Sequence, residues 1–236
     1  MISVVIPAYN EENRITKTVT TINAFLKEQF SAYEIIVVSD GSTDRTIEHV
    51  KALSLPCVRT CGYSQNRGKG EAVKFGVQAA KGDFVLFTDA DLPYAPAYIK
   101  DAYDLYKNGA DVVLGSRETQ LSSYPWYRWI SSICFSLAVR VLLGMNVPDT
   151  QCGFKGFSKK AKEQIFEKST LTGWGFDVEL IYIAKKQLKL KIDRVTVSMK
   201  HENEGSKIRI ISDSVKMLKE VLAVRKNAKH GLYGER

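Results

Sequence analysis

Two aspartates one residue apart, Asp89 and Asp91, directly follow the apolar run at residues 84–87 of this 236-residue chain. Side chains at positions i and i+2 of an extended segment point to the same side, so the two carboxylates should converge. Two like charges at close range repel each other unless a cation lies between them. The pattern therefore indicates either a cation site or an ordinary polar turn after a strand, and the motif alone does not separate the two.

Other chemistry-bearing side chains follow other apolar runs. One run ends in PAYNEE (7–12), a second in SDGSTD (39–44) and a third in GSR (115–117). The segment NRGKG (66–70) comes just before a helical pattern, where exposed backbone amides and a lysine suit a phosphate group. The sequence contains neither G-x-x-x-x-G-K-[ST] nor G-x-G-x-x-G, so it supports neither a P-loop nor a Rossmann dinucleotide site.

Alternating strands and helices must position these clusters. Apolar, β-branched strand patterns occur at residues 2–6, 34–38, 56–60, 84–88 and 111–114. Amphipathic helical patterns lie between them, at residues 13–29, 44–53, 70–80 and 96–107. Strands that are apolar on both faces and separated by helices predict an α/β fold with a mostly parallel central sheet. Ligands bind such sheets beyond the carboxyl ends of the strands, where the polar clusters fall.

The net charge of +8 is confined to the last fifth of the chain, since residues 185–236 hold 14 Lys or Arg and 6 Asp or Glu. A basic segment can serve an anionic membrane, a nucleic acid or solubility. Residues 208–226 place apolar side chains at helical spacing beside lysines, the pattern of an amphipathic helix on a membrane surface. This pattern favours a membrane surface as the partner and argues against nucleic acid.

The strongly apolar stretch at 126–145 contains Arg128 and Arg140, and it is too short and too charged to span a bilayer. It predicts either a buried helix or a helix that contacts a membrane. Met1 leads directly into the first strand pattern, so we expect no signal peptide. The four cysteines lack metal-site spacing and are expected to be reduced thiols in a cytosolic setting.

Seven motifs together carry a resemblance to a known family. VVIPAYNEE (4–12), EIIVVSDGSTD (34–44), NRGKGEAV (66–73) and TDADL (88–92) resemble the nucleotide-sugar domain of the inverting glycosyltransferase family 2. DTQCGFKGF (149–157), GFDVELIYIA (175–184) and EGSK (204–207) are similar to the dolichyl-phosphate β-glucosyltransferases of that family, and more loosely to polyprenyl-phosphate mannose synthases. The resemblance implies a GT-A fold, which is a nucleotide-sugar-binding α/β sheet.

The resemblance also implies roles for individual residues. Asp89 and Asp91 would hold Mg²⁺ or Mn²⁺ against the diphosphate of the sugar donor. Asp40 is the best candidate for a contact to the base, although Ser39 stands where the family commonly has a first aspartate. The nucleotide-sugar site would comprise Pro7, Ala8, Tyr9, Glu11, Asp40, Lys69, Asp89 and Ala90, and the catalytic group would comprise Asp91, Arg117 and Asp149.

The acceptor implied by the resemblance is a lipid phosphate, which is already anionic and needs cationic positioning. A sugar hydroxyl would instead need a general base. Arg117, Arg128 and Lys207 match basic positions that approach the acceptor phosphate or the donor in the resembling enzymes. Asp149 could orient the arginines or assist the nucleophile.

Two further carboxylates, Asp177 and Glu179, stand where family members with hydroxyl acceptors carry their base. A supporting role for them, paired with the basic cluster, is the favoured interpretation.

The predicted function is inverting transfer of glucose from UDP-glucose to a polyprenyl (dolichyl) phosphate. Pro93 and the pair Asn203-Glu204 depart from the mannose synthase pattern and so favour glucose. The alternatives are a mannose synthase that uses GDP-mannose and a family 2 transferase with a saccharide hydroxyl acceptor. We expect a GT-A domain at 1–207 that includes an interfacial helix at 126–145, a basic amphipathic helix and tail at 208–236, and peripheral attachment to the cytoplasmic face of a membrane.

Overall fold

The structure, a computed structural model, describes residues 1–117, 126–147, 149–173, 175–199 and 210–234, with the backbone alone at 126–134 and 210–215. In this part of the chain seven strands form one sheet in the order β3-β2-β1-β4-β6-β5-β7. The strands are β1 (Ile2–Ala8), β2 (Tyr33–Asp40), β3 (Val58–Tyr63), β4 (Phe84–Phe87), β5 (Val112–Arg117), β6 (Lys155–Ser158) and β7 (Ile192–Val197).

The sheet is mostly parallel, as the sequence predicts. Strand β1 pairs in parallel with β2 and β4, β2 with β3, and β5 with β7. Strand β6 runs antiparallel between β4 and β5. All seven residues of β1 are buried, which is expected of a parallel strand covered by helices on both faces.

Helices cover both faces of the sheet. They are α1 (Ile15–Gln29), α2 (Thr46–Ala52), α3 (Lys69–Ala79), α4 (Ala97–Lys107), α5 (Trp126–Leu143), α6 (Lys159–Lys168), α7 (Phe176–Tyr182) and α8 (Ile210–Lys229), and a π-helical turn (Ile183–Gln187) continues α7. Successive residues of β1 alternate between two cores, because strand side chains point to opposite faces. Val5 belongs to the core that also contains buried residues of α3, α5, α6, α7 and α8, whereas Val4 and Ile6 belong to the core that contains buried residues of α1, α2 and α4.

Two strands, β6 and β7, are absent from the sequence-based prediction. Strand β6 reads KGFS and is fully buried because it fills the gap between β4 and β5. Strand β7 lies at the edge of the sheet and buries only Val195 and Val197. The segment FDVEL, which is compatible with a strand or a helix, forms α7.

The C-terminal helix α8 belongs to the same core as the sheet. Val221 and Val224 are fully buried, and Glu220 accepts a hydrogen bond from the backbone N–H of Gly175 at the start of α7. Leu218 and Leu222 remain 42% and 46% exposed on the same helix. No helix within the described ranges is long and apolar enough to cross a membrane.

Candidate active site

The polar clusters that follow the predicted strands lie together at the carboxyl edge of the sheet. Asp40 is the last residue of β2 and Arg117 is the last residue of β5, while Asp89 and Asp91 follow β4. Strands β1, β2 and β4 are parallel neighbours, so their carboxyl ends meet at one edge. The sheet therefore brings together candidate residues that are far apart in the sequence.

The loop after β1 is fastened to the loop after β2. Asn10, with φ 55°, accepts a hydrogen bond from the backbone N–H of Thr43 at 2.8 Å, and the N–H of Glu11 donates to the Thr46 hydroxyl at 2.8 Å. Tyr9 is 46% exposed at this edge. Pro7 and Ala8, which are also predicted to bind the nucleotide, are the last two residues of β1, and both are buried. The two loops are thus held together by hydrogen bonds and line one side of the site beside Asp40.

Asp40 holds the 66–70 segment in place. Its carboxylate accepts the N–H of Arg67 at 2.8 Å and the N–H of Gly68 at 3.1 Å. Gly68 has φ 100°, and a Cβ atom there would lie 2.6 Å from the carbonyl oxygen of Thr172, so only glycine permits this turn. The segment delivers Lys69, the first residue of α3, to the carboxyl edge.

Tyr63, at the end of β3, is a site residue that the sequence did not single out. The guanidinium carbon of Arg67 lies 4.7 Å from the centre of its ring. Burial and then the neighbouring carboxylate of Asp40 raise the pKa of Tyr63. The hydroxyl is buried near the Asp40 carboxylate, and no described residue meets it at full hydrogen-bonding geometry. A tyrosine at the end of a strand is usually a packing residue, so its type and position carry no signal of a site.

The turn that carries Asp89 is tightly fixed. Ala90 is buried, and its carbonyl oxygen accepts a hydrogen bond from the Thr18 hydroxyl at 2.6 Å. A Cβ atom on Gly153 would lie 2.0 Å from the Asp89 carboxylate, so the backbone after Asp149 approaches Asp89 more closely than any side chain would allow. No pattern in the sequence connects Gly153 with the two aspartates.

The charges at this turn fit a divalent cation. Desolvation and then the charge of Asp89 raise the pKa of Asp91. Burial alone would lower the pKa of Lys69, which forms an ion pair with Asp89, but the carboxylates of Asp89, Asp177 and Asp91 outweigh burial and raise it. The described residues include no group of three or more His, Cys, Asp or Glu that could hold a metal. Two carboxylates completed by oxygen atoms of a bound diphosphate are a usual Mg²⁺ environment.

Arg117 and Asp149 form a two-pronged ion pair. The Nε and Nη2 atoms of Arg117 donate to the two carboxylate oxygens at 2.7 and 2.9 Å, and the backbone N–H of Arg117 donates at 3.2 Å. Burial alone would raise the pKa of Asp149, but these hydrogen bonds and the charge of Arg117 lower it. Asp149 is therefore an ionised carboxylate with both oxygens engaged, which favours orienting the arginine over removing a proton.

Buried, hydrogen-bonded charged residues of β6 and α7 lie beneath the site, on its core side. Lys155, absent from the sequence-based candidates, donates to the Asp177 carboxylate and to the carbonyl oxygen of Cys152, and both charged side chains are at most 5% exposed. Glu179 accepts hydrogen bonds from the backbone N–H groups of Thr170 and Leu171 and from the Tyr233 hydroxyl. These contacts agree with a supporting role for Asp177 and Glu179.

The family follows from a comparison with known proteins. The model of the family described as "Glycosyl transferase family 2" matches residues 3–166. This chain belongs to glycosyltransferase family 2. Proteins named dolichyl-phosphate beta-glucosyltransferase are similar to it across most of their length. The relative from Dictyostelium discoideum is 33% identical, and the alignment covers 95% of this chain and 73% of the relative. The relative from Saccharomyces cerevisiae is 34% identical, with 98% of this chain and 76% of the relative covered. The relative from Homo sapiens is 32% identical, with 95% of this chain and 74% of the relative covered.

Solved structures confirm the fold of this family 2 chain. Glucosyl-3-phosphoglycerate synthase from Mycobacterium tuberculosis in complex with UDP is 23% identical and superposes with a TM-score of 0.73, covering 96% of this chain and 80% of that one. The same enzyme in complex with Mn²⁺, UDP-glucose and phosphoglyceric acid is 24% identical with a TM-score of 0.72, covering 98% and 80%. The α/β sheet is the expected GT-A fold.

The structure of this family 2 chain describes only part of the predicted acceptor group. Arg117 is placed at the carboxyl edge, with Asp149 beside it. Arg128 belongs to helix α5, but its side chain lies outside the described part of the chain, and Lys207 lies outside the described residues altogether. Their predicted contacts with an acceptor phosphate remain predictions.

Proposed function

We propose that this chain transfers glucose, with inversion, from UDP-glucose to the phosphate of dolichol or another polyprenol. The names of the relatives at 32–34% identity support both the sugar and the acceptor. The observation that carries the proposal is the Arg117–Asp149 pair at the carboxyl edge. It offers a fixed cation where a phosphate acceptor needs one, and it leaves Asp149 engaged where a hydroxyl acceptor would need a free base.

The donor would bind along the carboxyl edge. Asp40 and the loop after β1 lie on the side where the nucleoside would fit, with Tyr63 and Lys69 beside them. Asp89 and Asp91 would hold Mg²⁺ or Mn²⁺ there. When bound, the metal supplies a Lewis acid that neutralises the diphosphate as it leaves.

The acceptor phosphate needs no proton removed before it attacks, since it is anionic at neutral pH. Arg117 would hold it in line with the bond to the leaving diphosphate, and Asp149 would keep the guanidinium group in the required orientation. We assign Arg128 and Lys207 to the same phosphate.

Helices α5 and α8 would attach the protein to the cytoplasmic face of a membrane. Leu137 and Val141 of α5 are 57% and 71% exposed, and Leu218 and Leu222 of α8 are similarly open to solvent. Exposed apolar side chains on a basic helix suit an anionic lipid surface. We retain residues 1–207 as the transferase unit and 208–236 as the membrane-directed segment, although α8 packs against α5 and α7 and shares their core.

The test is product formation from UDP-glucose and from GDP-mannose, each with a short polyprenyl phosphate and Mg²⁺ or Mn²⁺. We expect glucosyl-lipid from UDP-glucose, and none from the Asp91→Ala variant. Transfer from GDP-mannose alone would replace the proposal with a mannose synthase. Donor hydrolysis without lipid product, together with transfer to a saccharide, would replace the acceptor.

A further inference from the structure

The backbone of Lys69 is held in place, whereas its side chain is free to change position. Its backbone is fixed on both sides, because the N–H of Gly68 donates to Asp40 and the N–H of Gly70 donates to the carbonyl oxygen of Thr172 at 2.9 Å. A Cβ atom on Gly70 would lie 2.8 Å from the Cβ of Phe176, so α3 is pressed against the start of α7. The Lys69 side chain is 26% exposed, and its ammonium group contacts Oδ1 of Asp89.

Four side chains form a row of alternating charge that runs from the surface into the core. Asp89 pairs with Lys69, Lys69 also interacts with the charge of Asp177, and Asp177 pairs with Lys155. Lys155 is 1% exposed and also donates to a backbone carbonyl oxygen, so the inner end of the row cannot shift. Only the outer pair, Asp89 and Lys69, is open to exchange with a ligand.

We propose that Lys69 occupies the coordination position on Asp89 that a divalent cation needs, so that metal and nucleoside diphosphate bind cooperatively through an exchange of ion pairs. The inference rests on the proposed metal site at Asp89 and Asp91. An ammonium group and a dication at one carboxylate oxygen repel each other. The diphosphate carries the charge that can accept Lys69, and its arrival frees Asp89 for the metal.

Lys69 therefore weakens metal binding in the absence of nucleotide and strengthens nucleotide binding in the presence of metal. Coupling of this kind between two ligands typically amounts to about 5- to 150-fold in affinity, and the factor is the same whichever ligand is measured. If Asp89 and Asp91 alone set the metal affinity, neutralising Lys69 would lower the affinity for nucleotide and leave the affinity for metal unchanged.

The experiment measures Mn²⁺ binding to the protein by equilibrium dialysis, without UDP and with saturating UDP on both sides of the membrane, because free UDP itself binds Mn²⁺. Wild type, Lys69→Met, Lys69→Ala and Lys69→Arg are compared. Lys100→Met is the matched control, since it removes an exposed ion pair with Asp104 on α4. We expect both neutral variants to bind Mn²⁺ alone on the order of tenfold more tightly than wild type, and UDP to improve their Mn²⁺ affinity much less. Lys69→Arg and Lys100→Met should behave like wild type.

Equal or weaker affinity for Mn²⁺ alone in both neutral variants, with thermal unfolding unchanged, would overturn the role of Lys69. Asp91→Ala separates this result from failure of the proposed metal site. If Mn²⁺ still binds tightly to Asp91→Ala in the presence of UDP, the metal site itself is wrong and the inference falls with it.

Discussion

At Asp149, the balance between burial and a neighbouring charge decides which chemical role the residue can take. Arg117 lowers the pKa of this carboxyl group and engages both of its oxygens. Asp149→Asn keeps the shape but weakens the hold on Arg117. We expect a fall of about 10- to 100-fold in kcat/KM, mostly through a higher KM for the polyprenyl phosphate, with the pH profile unchanged near neutrality. Steady-state kinetics with varied acceptor at several pH values measure both effects.

A general-base role for Asp149 gives a different result. Asp149→Asn would then lower kcat itself and remove the acidic limb of the pH profile. Arg117→Lys is the companion variant, because it keeps the positive charge and loses the two-pronged geometry. It should resemble Asp149→Asn if orientation of the guanidinium group is what matters.

Gly153 lets the chain pass against Asp89 without a side chain. Gly153→Ala would place a Cβ atom 2.0 Å from the Asp89 carboxylate if nothing moved, so Asp89 must rotate away. We expect Mn²⁺ affinity in the presence of UDP and the turnover rate to fall by at least about tenfold, since small displacements at a reacting centre are costly. Isothermal titration with UDP in the absence of metal is the internal control. Equal losses of UDP affinity with and without metal would contradict a local effect on Asp89.

At the scale of elements, the sequence predicted the parts of the fold that have a strong hydrophobic period. Strands β1, β2, β4 and β5 and helices α1 to α4 are continuous apolar or amphipathic runs, and they occur within a few residues of the predicted bounds. Strand β6 begins with Lys155, whose burial depends on its partner Asp177 from α7. Such pairing depends on tertiary contact and produces no periodic pattern in the sequence. The places of Tyr63 and Gly153 in the site likewise depend on tertiary contacts.

Glu34 ties the starts of β1, β2 and β3 together. This buried carboxylate accepts hydrogen bonds from the Ser3 hydroxyl at 2.6 Å, the N–H of Lys81 at 2.6 Å and the Arg59 side chain at 2.9 Å. Burial alone would raise its pKa, but these donors lower it. Glu34→Gln removes an ionised acceptor and should lower the free energy of unfolding by about 1–3 kcal/mol at pH 7, measured by urea denaturation.

The pH dependence of that difference has a defined sign. A carboxyl group whose pKa is lowered by folding contributes its full stabilisation above its unfolded pKa of about 4.3, and loses it as the pH falls through the folded pKa. Wild type and Glu34→Gln should therefore converge in stability in acid. Glu28→Gln, at an exposed position on α1, should change stability little at any pH. A difference that persists undiminished below the folded pKa would contradict the charge-based explanation.

At the scale of the whole molecule, the two faces of the sheet carry different surfaces. Helices α1, α2 and α4 cover one face, and α5 and α8 lie on the other, where exposed leucines and Val141 accompany the basic C-terminal segment. The segment from α8 to the C-terminus cannot be deleted to test attachment, because Val221 and Val224 of α8 and Tyr233 after it belong to the core. Point variants on its exposed side leave that core intact.

Leu218→Ser combined with Leu222→Ser should reduce sedimentation with phospholipid vesicles, because the exposed apolar side of α8 would no longer enter the headgroup region. Lys216→Gln combined with Lys219→Gln should reduce binding to phosphatidylserine vesicles by on the order of tenfold, and should matter little for neutral vesicles. The matched control, Lys51→Gln combined with Lys107→Gln, removes the same charge from α2 and α4 on the opposite face and should bind like wild type. If the control pair loses as much binding as the α8 lysines, net charge alone governs attachment and α8 does not orient the active site toward the membrane.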